Sequence, residues 1–332
     1  MTILAIESSC DETSAAVLAD GQMRSNVIAT QLIHEQYGGV VPELASRAHQ
    51  QHILPVVERA LSNATIPKSA LSAIAFTRGP GLLGSLLVGT SFAKAMALGL
   101  NIPLIEVNHM QAHILAHFIE APRPVFPFLC LTVSGGHTQI VRVDGPLDMT
   151  IIGQTQDDAV GEAFDKSAKL LGLPYPGGPL IDQYAQNGDP LAYKFPMGDM
   201  PELNFSFSGI KTAILYFLRH NTNTNPNFIQ QHLPNICASI QHTLVQMLLT
   251  KLKRAARETG IHEIAIAGGV SANSGLRSAV TQLGHELGWT VYIPRFEYCT
   301  DNAAMIAMAA QFKYEQGEFT PQSVSPMPRM SF

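Results

Sequence analysis

Ile3-Leu4-Ala5-Ile6-Glu7-Ser8-Ser9-Cys10-Asp11-Glu12-Thr13-Ser14-Ala15-Ala16-Val17-Leu18 is the stretch on which the fold turns. Its apolar ends, Ile3–Ile6 and Ala15–Leu18, read as strands, and the small polar run between them reads as the turn that joins them. The pattern returns downstream. Leu129–Val143 runs strand, then Ser134-Gly135-Gly136-His137-Thr138, then strand. Two hairpins built alike suggest a duplicated lobe.

Around these hairpins, apolar or β-branched runs alternate with helical periodicity. Strands are expected at Ile74–Phe76, Leu104–Val107, Phe128–Val133, Gln139–Val143, Ile264–Ala267 and Thr290–Ile293. Helices are expected at Ile53–Leu61, Ser85–Leu98, Gly161–Leu171, Ile236–Thr259 and Asn302–Tyr314. This alternation predicts an α/β protein with a mostly parallel sheet. The Pro-rich segment Ala121–Pro127 reads as a linker.

At 332 residues the chain can bury a substantial core, and the length suggests about two domains. Only 14% of residues are charged, against about 25% in an average globular protein, which excludes a disordered chain. Cys10, Cys130, Cys237 and Cys299 lie far apart with no C-x-x-C, which fits neither a disulfide framework nor a zinc ribbon. A reducing, cytoplasmic compartment is expected, with no secretory signal at Met1–Ile6 and no membrane span. The net charge of −5 argues, taken alone, against a nucleic-acid partner.

Three side-chain-poor loops point to a nucleotide cradle, because backbone N–H groups approach an anion closely where no Cβ intervenes. They are Ser134-Gly135-Gly136, Tyr175-Pro176-Gly177-Gly178-Pro179 and Gly268-Gly269-Val270. The last precedes a helix start near Ser271–Ser274, which adds a positive dipole end. A P-loop is excluded because no Walker A lysine motif is present.

Val107-Asn108-His109-Met110-Gln111-Ala112-His113 follows a strand, with Asn108 placed to cap a helix. His109 and His113, four apart, share a helical face and can bind one metal; His117 continues that face. Asp301 is an attractive third ligand, although a carboxylate heading a helix is also an ordinary N-cap. Asp11 and Glu12 lie in the first turn, and Asp157, Asp158, Glu162 and Asp165 form a second acidic cluster. The basic tract Lys251–Arg257 spreads over several helical faces and reads as solvated surface rather than an RNA groove.

Together these residues resemble the TsaD family. The resemblance is carried by Ile6–Thr13, Gly38–Arg47, Gly79–Leu86, Val133–Thr138, Phe205–Gly209, Gly268–Asn273 and Thr300–Ala304, in order along nearly the whole chain. It implies an actin-like (ASKHA) fold of two RNase H-like lobes around a nucleotide cleft. The first lobe would comprise 1–108 with 301–332, and the second 109–300. It also implies transfer of a threonylcarbamoyl group from threonylcarbamoyl-AMP to the adenosine next to the anticodon in tRNA. Family metal ligands fall on His109, His113 and Asp301, for Fe²⁺ or Zn²⁺. Contacts to the adenylate fall on Thr132, Val133, Ser134, Gly135, Gly136, Asp165, Gly178, Asp182 and Asn273. No general base is implied; Asp11 and Glu12 are candidates. Gln111 departs from the glutamate of many members, which touches only the surroundings of the metal.

The implied partners are tRNA, a homologous TsaB-like subunit, a TsaE-like ATPase and a YrdC-type enzyme that supplies the adenylate. A metalloprotease is disfavoured because His109-Met110-Gln111-Ala112-His113 lacks the glutamate general base of H-E-x-x-H and H-x-x-E-H. A non-catalytic ATP-binding scaffold is the alternative, since a fold alone sets no chemistry. A nucleotide clamp, however, needs no His₂Asp site.

Overall fold

The computed structural model describes residues 1–198 and 200–331. The chain forms two compact units. One comprises Met1–Arg123, Gly145–Met149 and Pro294–Phe332, and the other Pro124–Asp144 and Thr150–Ile293.

The first unit opens with β1 (Thr2–Glu7) and β2 (Glu12–Ala19), the expected hairpin, and continues into β3 (Gln22–Thr30). Next come α1 (Pro42–Ala64), β4 (Ala73–Gly79), α2 (Leu83–Leu100), β5 (Leu104–Asn108) and α3 (His109–Leu115). The sheet order is β3-β2-β1-β4-β5, antiparallel across the hairpins and parallel from β1 to β4 to β5. The sheet is therefore mixed rather than mostly parallel.

Strand β1 is buried on both faces, as a central strand between helical layers must be. Leu4, Ile6, Ile74 and Phe76 pack with Ile53, Val57 and Ala60 of α1 and Ala93 and Ala97 of α2. α1 begins at Pro42, whose fixed φ suits a first helical position. Its first turns bury only Ala45 and His49, so its apolar periodicity is legible only from Ile53 onward. α2 is long and apolar enough to cross a membrane by length and composition, and its buried face, Leu86 to Ala97, packs toward β4 and α1.

The second unit repeats the plan. β6 (Phe128–Val133) and β7 (Thr138–Gly145) form the second hairpin, followed by β8 (Asp148–Gln154). Then come α4 (Val160–Leu170), α5 (Gly177–Ala185), α6 (Ser208–Thr224), α7 (Phe228–Thr259), β9 (Glu263–Ala267), α8 (Ser274–Leu287) and β10 (Thr290–Tyr292). The order β8-β7-β6-β9-β10 matches that of the first sheet strand for strand, with β6–β9 and β9–β10 parallel. This repeated order is the actin-like arrangement of two RNase H-like lobes that the resemblance implies.

α9 (Ala303–Glu315) closes the first unit against β1, β2 and α3. Ala303–Ala310 are all buried, and a helix apolar on every side belongs inside. Apart from the short excursion Gly145–Met149, the units divide at 123/124, inside Ala121–Pro127, and at 293/294. These divisions differ from the expected 108/109 and 300/301. The helix carrying the histidines packs on α9 and so belongs with the first unit.

Candidate functional site

The side chain of Asn108 accepts hydrogen bonds from Met110 and Gln111 N–H (2.9 and 3.2 Å) and starts α3 directly after β5. His109 and His113 then lie one turn apart on the same face. Across from them, α9 is capped by Asn302, whose side chain accepts from Met305 N–H at 3.0 Å. Asp301 is therefore not the N-cap and is left to face the histidines. Its Oδ1 is 3.3 Å from His109 Nε2 and 3.2 Å from His113 Nε2, and all three donor atoms lie within 4.8 Å of one another. Two donors at about 2.1 Å from a tetrahedral ion stand ~3.4 Å apart, so the set fits a transition-metal ion. His117, in the short 3₁₀ turn Ala116–Phe118, is not part of the cluster.

His109 Nδ1 faces Glu7 Oε2 at 3.1 Å, and Ser9 Oγ lies 3.3 Å from the same nitrogen. An Nδ1–H donated to the carboxylate presents Nε2 as the metal-binding lone pair, the usual second partner of a ligating histidine. Glu7 is fully buried at the end of β1 and also accepts from Ser9 N–H and Thr77 Oγ–H. The sequence reading missed it. Its signal was a lone carboxylate closing an apolar strand.

The electrostatics call for a cation. Burial opposes a charged His109, yet Asp301 and Glu7 overcome it and hold its pKa well above the usual range. Burial opposes the Asp301 and Glu7 carboxylates too, but His109 holds both below theirs. At His113 burial prevails over Asp301 and lowers the pKa, leaving the neutral imidazole that ligates metals. Burial and the charges of Asp301 and Asp11 push Glu12 up to about 10. The turn carrying Asp11 and Glu12 is pinned from α1. His49 Nε2 donates to the Cys10 carbonyl (2.9 Å), so its Nδ1 accepts the Thr13 hydroxyl (2.8 Å).

In the second unit, Gly135, Gly161, Phe164, Asp165, Pro176, Gly178, Pro179, Asp182, Gly269, Val270, Ala272 and Asn273 enclose a 250 Å³ pocket. Its volume falls just below the ~300–1,000 Å³ typical of small-molecule sites. All three side-chain-poor loops contribute. A Cβ on Gly161 would lie 2.6 Å from the Ser134 carbonyl, so only glycine lets α4 approach that turn. Gly268, at φ +85°, would meet the Val133 carbonyl at 2.4 Å.

Of the nine expected adenylate contacts, Gly135, Asp165, Gly178, Asp182 and Asn273 line this pocket. Thr132, Val133, Ser134 and Gly136 do not. Thr132 and Val133 are buried in β6, and Ser134 closes its own turn with His137. Gly161 and Phe164 line the pocket as well, without having been expected there. Asp165 Oδ1 accepts Gly177 and Gly178 N–H (2.8 and 3.1 Å), and burial pushes this carboxyl above its usual range despite those donors. Asp182 accepts Ser274 N–H (2.9 Å) and Oγ–H (2.6 Å), while Asn273 caps α8. These polar groups thus also tie loops to helix starts.

The sequence matches the TsaD family, described as tRNA N6-adenosine threonylcarbamoyltransferase, over residues 22–308. A protein of that name from Cytophaga hutchinsonii is 64% identical over 99% of this chain and 96% of its own length. Another, from Christiangramia forsetii, is 63% identical over 100% and 98%. Among solved structures, full-length HypF aligns with TM-score 0.67 at 15% identity, covering 96% of this chain; the chain spans 47% of HypF. Component A of (R)-2-hydroxyglutaryl-CoA dehydratase from Acidaminococcus fermentans aligns with TM-score 0.53 at 14% identity, over 95% and 98%. Both likenesses bear on the fold alone. With the family match running from β3 into α9 and close relatives matching end to end, the chain belongs to the TsaD family.

Proposed function

We propose that this chain transfers the threonylcarbamoyl group of threonylcarbamoyl-AMP to the exocyclic amine of the adenosine adjacent to the anticodon, in tRNAs reading codons that begin with adenine. The observation that carries the reading is the convergence of His109, His113 and Asp301, braced by buried Glu7, in a member of this family. A nucleotide-binding scaffold has no use for such a cluster.

The cradle formed by Gly135, Gly178 and Gly269 receives the phosphate and ribose, with Asp165, Asp182 and Asn273 as polar contacts. His109, His113 and Asp301 hold one divalent ion, Fe²⁺ or Zn²⁺. Bound there, the ion supplies Lewis acidity toward the carbamoyl oxygen. In the transfer, the adenine amine forms a C–N bond to the carbamoyl carbon, the C–O bond to phosphate breaks, and AMP departs. One amine proton passes to a base. Asp11 and Glu12, the carboxylates of the pinned turn, are the candidates for that base. Transfer should be lost in one of Asp11→Asn and Glu12→Gln and kept in the other, and retained activity in both would remove this turn from the proton transfer.

The chain works in the cytoplasm with a TsaB-like subunit, a TsaE-like ATPase and a YrdC-type enzyme that makes the adenylate. Its four cysteines are free, as a reducing compartment allows. Reconstitution with those partners, bicarbonate, threonine, ATP and unmodified tRNA, followed by nucleoside mass spectrometry, tests the reading. Threonylcarbamoyladenosine is expected; its absence with correctly folded components overturns the assignment.

A further inference from the structure

An acidic chain that handles tRNA needs a local region of positive charge. The basic tract Lys251–Arg257, expected to be plain solvated surface, lines a 780 Å³ groove in the second unit. Lys253 and Arg257 are exposed and four residues apart on α7, so they share a face. His262, exposed ahead of β9, stands on the same groove with Trp289, ahead of β10. No carboxylate lines it among the described residues. Lys251 is committed to the Met200 and Glu202 carbonyls, and Arg254 to Glu258 and the Glu202 carbonyl, which leaves Lys253 and Arg257 as the cations available to a ligand. Trp289 is the chain's one tryptophan, half-buried against the core.

We propose that this groove is an RNA docking surface, with backbone phosphates on Lys253 and Arg257 and an unpaired base against Trp289. Cations tracking a backbone beside an aromatic platform are how proteins hold RNA without reading its sequence. β9 runs from Glu263, beside the groove, to Ala267, beside the Gly268 loop of the pocket. At about 3.3 Å per residue the groove stands at the far end of the strand from the nucleotide site. It therefore grips the tRNA about 13 Å along the strand from the pocket loop, beside and not at the reacting adenosine. The inference rests on the proposed tRNA substrate.

The single tryptophan gives a direct readout. Unmodified tRNA should quench its fluorescence, and polyglutamate at equal charge should not. In the reconstituted system, Lys253→Ala/Arg257→Ala should raise KM for tRNA about tenfold and lower the salt slope of tRNA binding by about 2, one per phosphate contact. kcat and KM for the adenylate should stay unchanged. Both side chains are exposed, so the fold is expected to survive, and an unaltered circular dichroism spectrum checks it. Equal quenching by polyglutamate, no quenching by tRNA, or an unchanged KM in the double variant overturns the groove. A wild-type chain that makes no threonylcarbamoyladenosine would instead overturn the substrate reading.

Discussion

Asp165 has one oxygen engaged by the Gly177 and Gly178 N–H groups, while the carboxylate still borders the pocket. Its two roles separate by substitution. Asp165→Ala removes both and should weaken AMP binding tenfold or more, on the order of 1.4 kcal/mol. Asp165→Asn keeps an acceptor for the two N–H groups but turns a donor toward the ligand, so affinity should fall while melting temperature holds. Metal content should not change in either. Calorimetry with AMP beside metal analysis reads both halves, and unchanged affinity in the alanine variant would leave Asp165 a loop tether only. His113→Ala should lose the metal and the transfer activity with an intact circular dichroism spectrum, since Asp301 and His109 then lack their third partner. His117→Ala should keep both, and comparable metal loss there would move the ligand set along the helix. Before the family pattern is applied, i, i+4 spacing pairs His113 with His117 as readily as with His109. The structure separates them because α3 ends at Leu115 and His117 falls in a 3₁₀ turn.

Elements were legible in the sequence where burial imposes a period, and illegible where it does not. β1, β2, β6 and β9 each carry an unbroken apolar run, because helices cover them on both faces. β3 and β8 are half-exposed edge strands carrying Arg24, Asn26 and Asp148, so they show no strand-like run. α6 went unread because its start is capped from a distance. Asp157 accepts Phe207 and Ser208 N–H (2.8 and 3.4 Å) and both the Ser206 and Ser208 hydroxyls, fifty residues away in sequence. Those donors outweigh the cost of burial and lower its pKa. A carboxyl lowered on folding stabilises the native state above its unfolded pKa, ~3.9, and that contribution fades as pH falls through the folded value. Urea midpoints measured from pH 6 down to pH 2.5 should therefore fall less steeply for Asp157→Asn than for wild type. Parallel curves would show that the cap contributes nothing. The effect should be modest, because Asp157 is largely exposed to solvent.

At the scale of the whole molecule, the same five-strand order occurs twice, and each copy carries a different candidate site. The His109, His113 and Asp301 cluster belongs to the first unit and the 250 Å³ pocket to the second. The cluster is not what holds its unit together. α3 is started by Asn108, α9 by Asn302, and Ala303–Ala310 are buried against the sheet whatever occupies the histidines. Small metal domains unfold without their ion because the site supplies the folding energy; here the core supplies it. Chelation should thus abolish transfer while leaving the circular dichroism spectrum and a cooperative thermal transition. Returning Fe²⁺ or Zn²⁺ at about a hundred times its dissociation constant should add ~2.7 kcal/mol by mass action, a rise of a few degrees in Tm. AMP should raise Tm of the chelated protein as well, because its pocket lies in the other unit. Loss of native signal on chelation, or loss of AMP stabilisation with the metal, would mean that the ion organises the fold and not only its chemistry.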